Sequence, residues 1–307
     1  MTRVTDLAQT ALTQLQIQQT QSQISDLQSQ LSSGHVAQTY DGLAPQAQPL
    51  INLQNDNTKI TQYNSSISTA LQQMSTAQTS ISSLISLASN FETTLVNALN
   101  GTNASNMALN QTAQSNLQQV AGLLNVQFNG QYVFSGTATN TAPVNLSAPG
   151  FTPPGSTYPS TPNTAYYQGT SAQPTVQADD NVSVAYGVTA ASPGFEELIR
   201  SLNLAATTVT TPGAIDTKRL QEALNVIKQA ISDMTTTQSS LGVSQGVLNA
   251  VSSSHAQLLT QLQSNISDIQ NVDVAQASTN LSALEITLQS SYAVTARLSQ
   301  LSIVQYL

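Results

Sequence analysis

Few residues of this chain have side chains that could perform acid–base, nucleophilic or metal chemistry. The sequence contains no cysteine and two histidines, His35 and His255. Its adjacent acidic pairs are Asp179-Asp180 and Glu196-Glu197. Because neighbouring residues of a helix or strand point to different faces, neither pair is expected to act as acid and base on one substrate. We interpret both pairs as solvated charges, with Glu196-Glu197 at a helix start, where negative charge complements the helix dipole.

The sequence contains none of the common catalytic motifs. It has no Gly-rich phosphate-binding loop and no HExxH pattern, and nothing brings a nucleophile, a base and an oxyanion site together. His255 falls on an apolar helical seam, where we interpret it as a packing residue rather than a metal ligand. The sequence therefore predicts a protein that is not an enzyme, with no catalytic, cofactor-binding or metal-binding residue and no cofactor.

The elements that must position these residues are long helices. Apolar residues recur every seven positions in two distant segments, and this spacing is typical of long helices that pack against a partner along their length. We call these residues the rod seam. Its first half is Leu53, Ile60, Ile67, Met74, Ile81 and Leu95, and its second half is Leu220, Ile227, Met234, Leu241, Leu248, Leu262 and Ile269.

Two further apolar stripes with helical spacing lie near the ends of the chain. Gly34 predicts the end of the first terminal helix, and the prolines at 45 and 49 predict a loop over residues 35–49. We expect these stripes to need a neighbouring surface, because isolated helices are marginal in water. The stripe residues are Leu7, Ala11, Leu15, Ile24, Leu27 and Leu31, and Val274, Ala277, Leu281, Leu284, Leu288, Leu298 and Leu301.

The segment between the two halves of the rod seam is not helical in pattern. Asn129-Gly130 is a strong hairpin signal, and residues 137–195 are rich in Pro, Gly, Thr and Tyr, with strand candidates at 166–167, 175–177 and 182–186. This insert is interpreted either as a docking face or as a solvated spacer. The predicted fold class is mainly α: a long antiparallel helical bundle or coiled coil formed by both chain halves, with a small β-rich inserted domain at the distal end.

Composition narrows the classes of partner. Charged residues make up 7% of the chain, against roughly 25% in an ordinary domain. The uncharged Gln- and Ser-rich surface either avoids the cost of burying ions between subunits or simply reflects the chain's lineage. A net charge of -8 excludes a basic stripe for nucleic acid. No run of about 18 apolar residues predicts membrane insertion, and no cleavable signal is evident, so we expect a cytosolic chain or one exported with its N-terminus intact.

Several short motifs at both ends resemble the bacterial flagellin family. The N-terminal motifs are LSSG at 31–34, DGLA at 41–44, NGTN at 100–103, FNG at 128–130 and FSG at 134–136. The C-terminal motifs are LG at 241–242, ISDIQNVDVA at 266–275 and LSALEITLQ at 281–289. The resemblance covers both ends of the chain, about two thirds of its length. Within the family, YQG at 167–169 and the ending LSIVQYL at 301–307 are more similar to subunits that join hook to filament than to filament flagellin.

The resemblance implies an architecture and a set of partners. Residues 1–45 and 270–307 would form the terminal helices of an inner assembly layer, 46–136 and 196–269 a helical rod domain with its hairpin, and 137–195 a β-rich outer insert. It also implies type III export, helical self-assembly, a cytosolic export chaperone, and contacts with other axial proteins, namely hook-associated protein 1 and flagellin. The implied location is outside the cell, in the bacterial flagellum at the hook-filament junction.

Alternative functions remain open from the sequence. The closest rival is a filament flagellin, which differs in copy number and position on the organelle. From a different class, the chain could be a secreted adhesin or binding module displayed by the insert, or a type III tip or translocator protein. We expect both chain ends to be poorly ordered in the free monomer, so that limited proteolysis removes about the first 40 and last 40 residues.

Overall fold

The fold was analysed in a computed structural model that describes residues 2–100, 104–211 and 214–304. Side chains are described for residues 11–100, 108–208 and 216–297. The helices are α1 (Thr2–Ser33), a 3-10 turn (Asp41–Leu43), α2 (Ala47–Asn100), α3 (Ala104–Leu124), α4 (Pro193–Ala206), α5 (Thr217–Gln270) and α6 (Val274–Val304). The strands are β1 (Gln127–Phe128), β2 (Gln131–Tyr132), β3 (Thr175–Asp179), β4 (Val182–Ala185), β5 (Val209–Thr211) and β6 (Ala214–Ile215).

The chain divides into two compact units. Unit 1 comprises Met1–Lys59 and Gln257–Leu307, and unit 2 comprises Ile60–Ala256.

In unit 1, α1 packs along α6. Gly34 ends α1 in the left-handed conformation, with φ of 75° and its N–H bonded to the carbonyl of Gln30 at 2.8 Å. The Asp273 carboxylate caps the start of α6 by accepting hydrogen bonds from the N–H groups of Ala275 and Gln276, at 3.0 and 3.1 Å. A short bridge joins the two helix ends, because the Val272 N–H donates to the Gly34 carbonyl at 3.0 Å.

The start of α2 differs from the prediction. The sequence analysis assigned residues 35–49 to a loop, but α2 begins at Ala47 and includes Pro49. A proline is tolerated in the first helical turn, where its missing N–H would have had no partner within the helix. The break predicted at residues 100–103 falls between α2 and α3, and residues 101–103 lie outside the described part of the chain.

In unit 2, α2 and α5 run in opposite directions. Gln238 donates to the Ser82 hydroxyl at 2.7 Å, while Lys228 faces Glu92 at 4.0 Å and His255 faces Asn64. Residue numbers therefore rise along α2 in the direction in which they fall along α5. The buried core of this pair continues into α3, α4 and the insert.

Serine and threonine hydroxyls on the exposed faces of the long helices bond within their own helix. Thr76 donates to the Gln72 carbonyl at 3.1 Å, and Thr235 donates to the Ile231 carbonyl at 2.7 Å. The same bond to the carbonyl four residues earlier recurs along α2, α5 and α6. These hydroxyls therefore have a hydrogen-bond partner within their own helix and do not need one from another segment or protein.

The insert of unit 2 is built from hairpins and long loops. Asn129 and Gly130 have φ of 49° and 77° and form the two-residue turn between β1 and β2, as the sequence predicted. Strands β3 and β4 pair antiparallel over residues 175–185. The strand candidate at 166–167 is instead a single bridge between Tyr167 and Val144, and the Tyr166 side chain is fully buried. The β5–β6 hairpin was not predicted.

These elements confirm the predicted fold class. Helices dominate both units, and the strands occur in three short two-stranded sheets among the described residues. The two-residue hairpin and the heptad helices lie where the sequence spacing predicted them.

Candidate functional site

The histidine on the rod seam is a structural residue. His255 is 3% exposed, its Nδ1 lies 3.3 Å from the Asn64 amide oxygen, and its Nε2 lies 3.6 Å from the Asp179 carboxylate. The ring also stacks on Tyr63, with centroids 6.2 Å apart, and the Tyr63 hydroxyl donates to Asp180 at 2.8 Å. These contacts fasten the β3–β4 hairpin to α2 and α5.

The interpretation of Glu196-Glu197 as solvated charges is wrong. Glu196 is 4% exposed, and both of its carboxylate oxygens accept from the Arg200 Nε at 3.1 Å. The same arginine donates to the carbonyl and hydroxyl of Ser160 at 2.9 Å, and Glu196 accepts from the Asn163 N–H at 3.0 Å. This buried ion pair holds the insert loop against α4.

Burial also changes the acidity of the neighbouring residue. Burial first, and then the nearby Asp233 and Glu196 carboxyls, raise the pKa of Glu197 to about 7 against the opposing effect of Arg200. One oxygen of the Glu197 carboxyl is buried without a hydrogen-bond partner.

A second arginine anchors the insert from the start of α5. Arg219 is 4% exposed and donates to the carbonyls of Leu204, Gly155 and Pro154 at 3.0, 3.0 and 2.7 Å. It also bonds the Thr207 hydroxyl. Sequence reasoning missed both arginines, because, apart from the Glu196 partner of Arg200, their partners lie up to 65 residues away in the chain.

No reaction centre is evident in these clusters. Within the described ranges, no three His, Asp or Glu side chains are grouped so that they could hold a metal ion. The helices in those ranges are also too polar or too short to cross a membrane. The arrangement fixes the insert on the helices.

The predicted stripe residues of α1 and α6 divide between the pair's contact and its surface. The partly buried ones are Ile24, Leu27, Leu31, Leu281, Leu284 and Leu288, and Ala277 is fully buried, whereas Ala11, Leu15 and Val274 are exposed. Leu27 and Leu284 line the same groove between the helices, and Gln21 donates to the Tyr292 hydroxyl at 2.6 Å. The side chains of Leu7, Leu298 and Leu301 lie outside the described residues.

Unit 1 also exposes apolar side chains that the sequence analysis did not select. Leu12 is 62% exposed and Ile286 64%, and Val294 and Tyr292 are about half exposed. Together with Leu15 and Val274, these exposed apolar side chains of α1 and α6 are what we call the terminal apolar face. Leu12, Ile286, Tyr292 and Val294 were missed because spacing alone does not tell which side of a helix a partner covers.

The rod seam lies mostly inside the molecule. Leu53 and Ile269 are partly buried, and the other members are buried, namely Ile60, Ile67, Met74, Ile81, Leu95, Leu220, Ile227, Met234, Leu241, Leu248 and Leu262. A seam of this kind stabilises the helices that carry it.

Comparison with known families assigns both halves of the chain. Residues 4–139 match the bacterial flagellin N-terminal helical region, and residues 224–307 match the bacterial flagellin C-terminal helical region. The chain belongs to the flagellin family. This flagellin-family chain is therefore a structural component of the flagellum, exported and assembled with other flagellar proteins, as the motifs at both ends predicted.

Solved structures share the fold of this flagellin-family chain at low sequence identity. Bacillus cereus FlgL is 15% identical with a TM-score of 0.57, covering 70% of this chain and 99% of its own length. Xanthomonas campestris FlgL is 12% identical with a TM-score of 0.58, covering 70% and 99%. Flagellar hook associated protein-3 from Legionella pneumophila is 13% identical with a TM-score of 0.56, covering 71% and 98%. No curated protein matches the sequence significantly.

Proposed function

We propose that this chain joins the hook of the bacterial flagellum to its filament, as hook-associated protein 3, by helical self-assembly after type III export. The observation that carries the proposal is the terminal apolar face, presented on a fold that also occurs in FlgL and hook-associated protein-3 structures. A packed helix pair that leaves large apolar side chains in water is suited to bind further copies of such a pair.

The proposed subunit has three layers. The terminal helices, residues 1–45 and 270–307, form the inner assembly layer, and the stripe residues contribute to contacts between subunits. Residues 46–136 and 196–269 form the surrounding rod layer, stabilised by the rod seam, and residues 137–195 form the outer insert. The proposed neighbours are hook-associated protein 1, flagellin and further copies of the chain, with a cytosolic chaperone before export.

Position on the organelle tests the junction role directly. In the bacterium that carries the gene, deletion should release filament subunits into the medium, and the wild-type gene should restore filaments. Immunogold labelling should mark a narrow ring at the end of the hook. Label along the whole filament would contradict the junction role and identify a filament flagellin instead, and an intact filament in the deletion strain would contradict both.

The terminal apolar face can be tested by a double substitution, Leu12→Gln with Ile286→Gln. Because both side chains are more than half exposed, the stability of the purified chain should change by less than about 0.5 kcal/mol, whereas motility should be lost. The protein should still reach the medium, which separates failed assembly from failed export. The matched control is Thr161→Gln, an exposed position of the insert, which should remain motile. Wild-type motility of the double variant would refute the role of this face.

A further inference from the structure

The proline-rich loop of the insert, residues 151–163, encloses a small cavity against α4. The cavity has a volume of about 110 Å³, and its lining on the helix side comprises Glu196, Ile199, Arg200 and Asn203. Glu196, Arg200 and Asn203 follow one another at intervals of four and three residues, so they share one face of the helix. Most of the loop residues that line the other side are exposed, so the loop covers this polar face of α4.

Asn203 presents a buried acceptor to this cavity. The residue is 8% exposed, and its side-chain nitrogen donates to the Ile199 carbonyl at 2.9 Å. This bond fixes which end of the amide carries the oxygen, because the Ile199 carbonyl can accept only from the N–H end. Among the described residues, none donates a hydrogen bond to the Asn203 side-chain oxygen. A polar atom buried to this extent costs free energy unless it has a partner, so a donor is expected in the cavity.

Arg200 and Glu196 have further hydrogen-bonding capacity on the same face of α4. A guanidinium has five N–H groups, and Arg200 uses its Nε for Glu196 and its Nη1 for the carbonyl and hydroxyl of Ser160. The two N–H groups of Nη2 have no acceptor among the described residues. Glu196 Oε1 also accepts from the Asn163 N–H, whereas Oε2 shares the single Nε–H of Arg200 at 3.1 Å. The lining therefore offers both donors and acceptors.

Size and charge narrow what the cavity can hold. Glu196 and Arg200 bear opposite charges and the other lining residues are uncharged, so neither an anion nor a cation would find a counter-ion of its own. An apolar molecule would leave the donors and acceptors without partners. The volume of about 110 Å³ equals that of about three to four water molecules at about 30 Å³ each. The ligand that fits is small, uncharged and able both to donate and to accept hydrogen bonds.

We propose that this cavity is a binding site for a cluster of about three to four water molecules, which join the proline-rich loop to α4. The waters accept hydrogen bonds from Arg200 Nη2 and donate to the side-chain oxygen of Asn203 and to Glu196 Oε2. Because each buried water typically makes about three hydrogen bonds, the remaining ones extend to the loop. The insert is thus attached to α4 by water as well as by the direct contacts of Arg200. This inference is independent of the proposed junction role, since it concerns contacts within one chain.

Oxygen-17 relaxation dispersion of the full chain in labelled water counts the water molecules that tumble with the protein. Asn203→Leu keeps the size of the side chain and removes its polar atoms, so the count should fall by at least one and by at most about four. The matched control is Asn249→Leu, the same change at an exposed position of α5, which should leave the count unchanged. Waters bound elsewhere in the chain are common to the variants, so the difference between them reports on the cavity.

Two results would overturn the proposal. The first is an equal count of bound waters in the wild type and in Asn203→Leu. The second needs no variant and holds even if Asn203→Leu does not fold: a high-resolution experimental structure of the wild type should show water within about 3.2 Å of the Asn203 side-chain oxygen. A loop side chain or backbone N–H in that place would mean that the loop closes directly on α4, and it would exclude the water site.

Discussion

Replacing Arg200 with methionine should destabilise unit 2 far more than replacing Lys228 with methionine, although each substitution removes one cation from one carboxylate. The side chains of Arg200 and Glu196 are 10% and 5% exposed, with both oxygens of the carboxylate contacted at 3.1 Å. Those of Lys228 and Glu92 are 57% and 31% exposed, and their charged atoms are 4.0 Å apart. The same formal change therefore tests two dielectric environments.

The expected losses of stability depend on the environment of each carboxylate once its cation has been removed. Removing Arg200 leaves the buried Glu196 charge without its counter-ion, which typically costs about 3–5 kcal/mol. Removing Lys228 leaves Glu92 at a partly solvated surface, where such pairs contribute about 0–1 kcal/mol. We therefore expect the free energies of unfolding of the two variants to differ by at least about 2 kcal/mol.

Urea unfolding at pH 7 and moderate salt, followed by far-ultraviolet circular dichroism, gives the comparison. The double variant Glu196→Gln with Arg200→Met should recover part of the loss, because it removes the unpaired charge as well. If Arg200→Met costs no more than Lys228→Met, the assignment of Glu196 and Arg200 as a buried ion pair that holds the insert is refuted.

Three smaller predictions concern packing and turns, and each is measured by urea unfolding. Gly194→Ala, which would place a Cβ atom 2.7 Å from the Met234 backbone nitrogen, should destabilise unit 2 by about 1–3 kcal/mol through overpacking, whereas Gly246→Ala, in the same unit with open space around it, should stabilise it by up to about 1 kcal/mol; equal effects would contradict the close contact. Gly130→Ala should cost about 1–2 kcal/mol, because φ is 77° there, and no cost would contradict that turn. Tyr166→Phe should cost about 1–3 kcal/mol by leaving the Ala190 carbonyl without its 2.9 Å donor, and a neutral result would contradict that bond.

The sequence predicted the long helices well, because a repeat that returns every seven residues leaves little choice of structure. Ile67, Met74 and Ile81 are buried on one face of α2, and their spacing alone requires that face. The turn at Asn129-Gly130 could be predicted from the sequence equally well, since few residue pairs adopt its backbone angles. In both cases the information lies within a few neighbouring residues.

The buried charges of unit 2 could not be predicted in this way. Glu196 and Arg200 are four residues apart, a spacing that also describes countless exposed helix pairs, and it does not reveal that the distant Ser160 contacts Arg200. Arg219 depends in the same way on carbonyls far away in the chain. The exposed face of α1 and α6 was missed for a related reason, because a helical stripe does not specify its partner.

The serine and threonine hydroxyls of α2, α5 and α6 that bond to carbonyls of their own helix affect the cost of covering the outer surface of these helices. A hydroxyl already bonded to its own backbone carbonyl, as in Thr76 and Thr235, loses little when water is removed. Such a surface is polar enough for solution, yet it can be covered or uncovered at small desolvation cost. At these hydroxyls, a neighbouring surface needs to match the contour of the helix and does not have to supply hydrogen bonds.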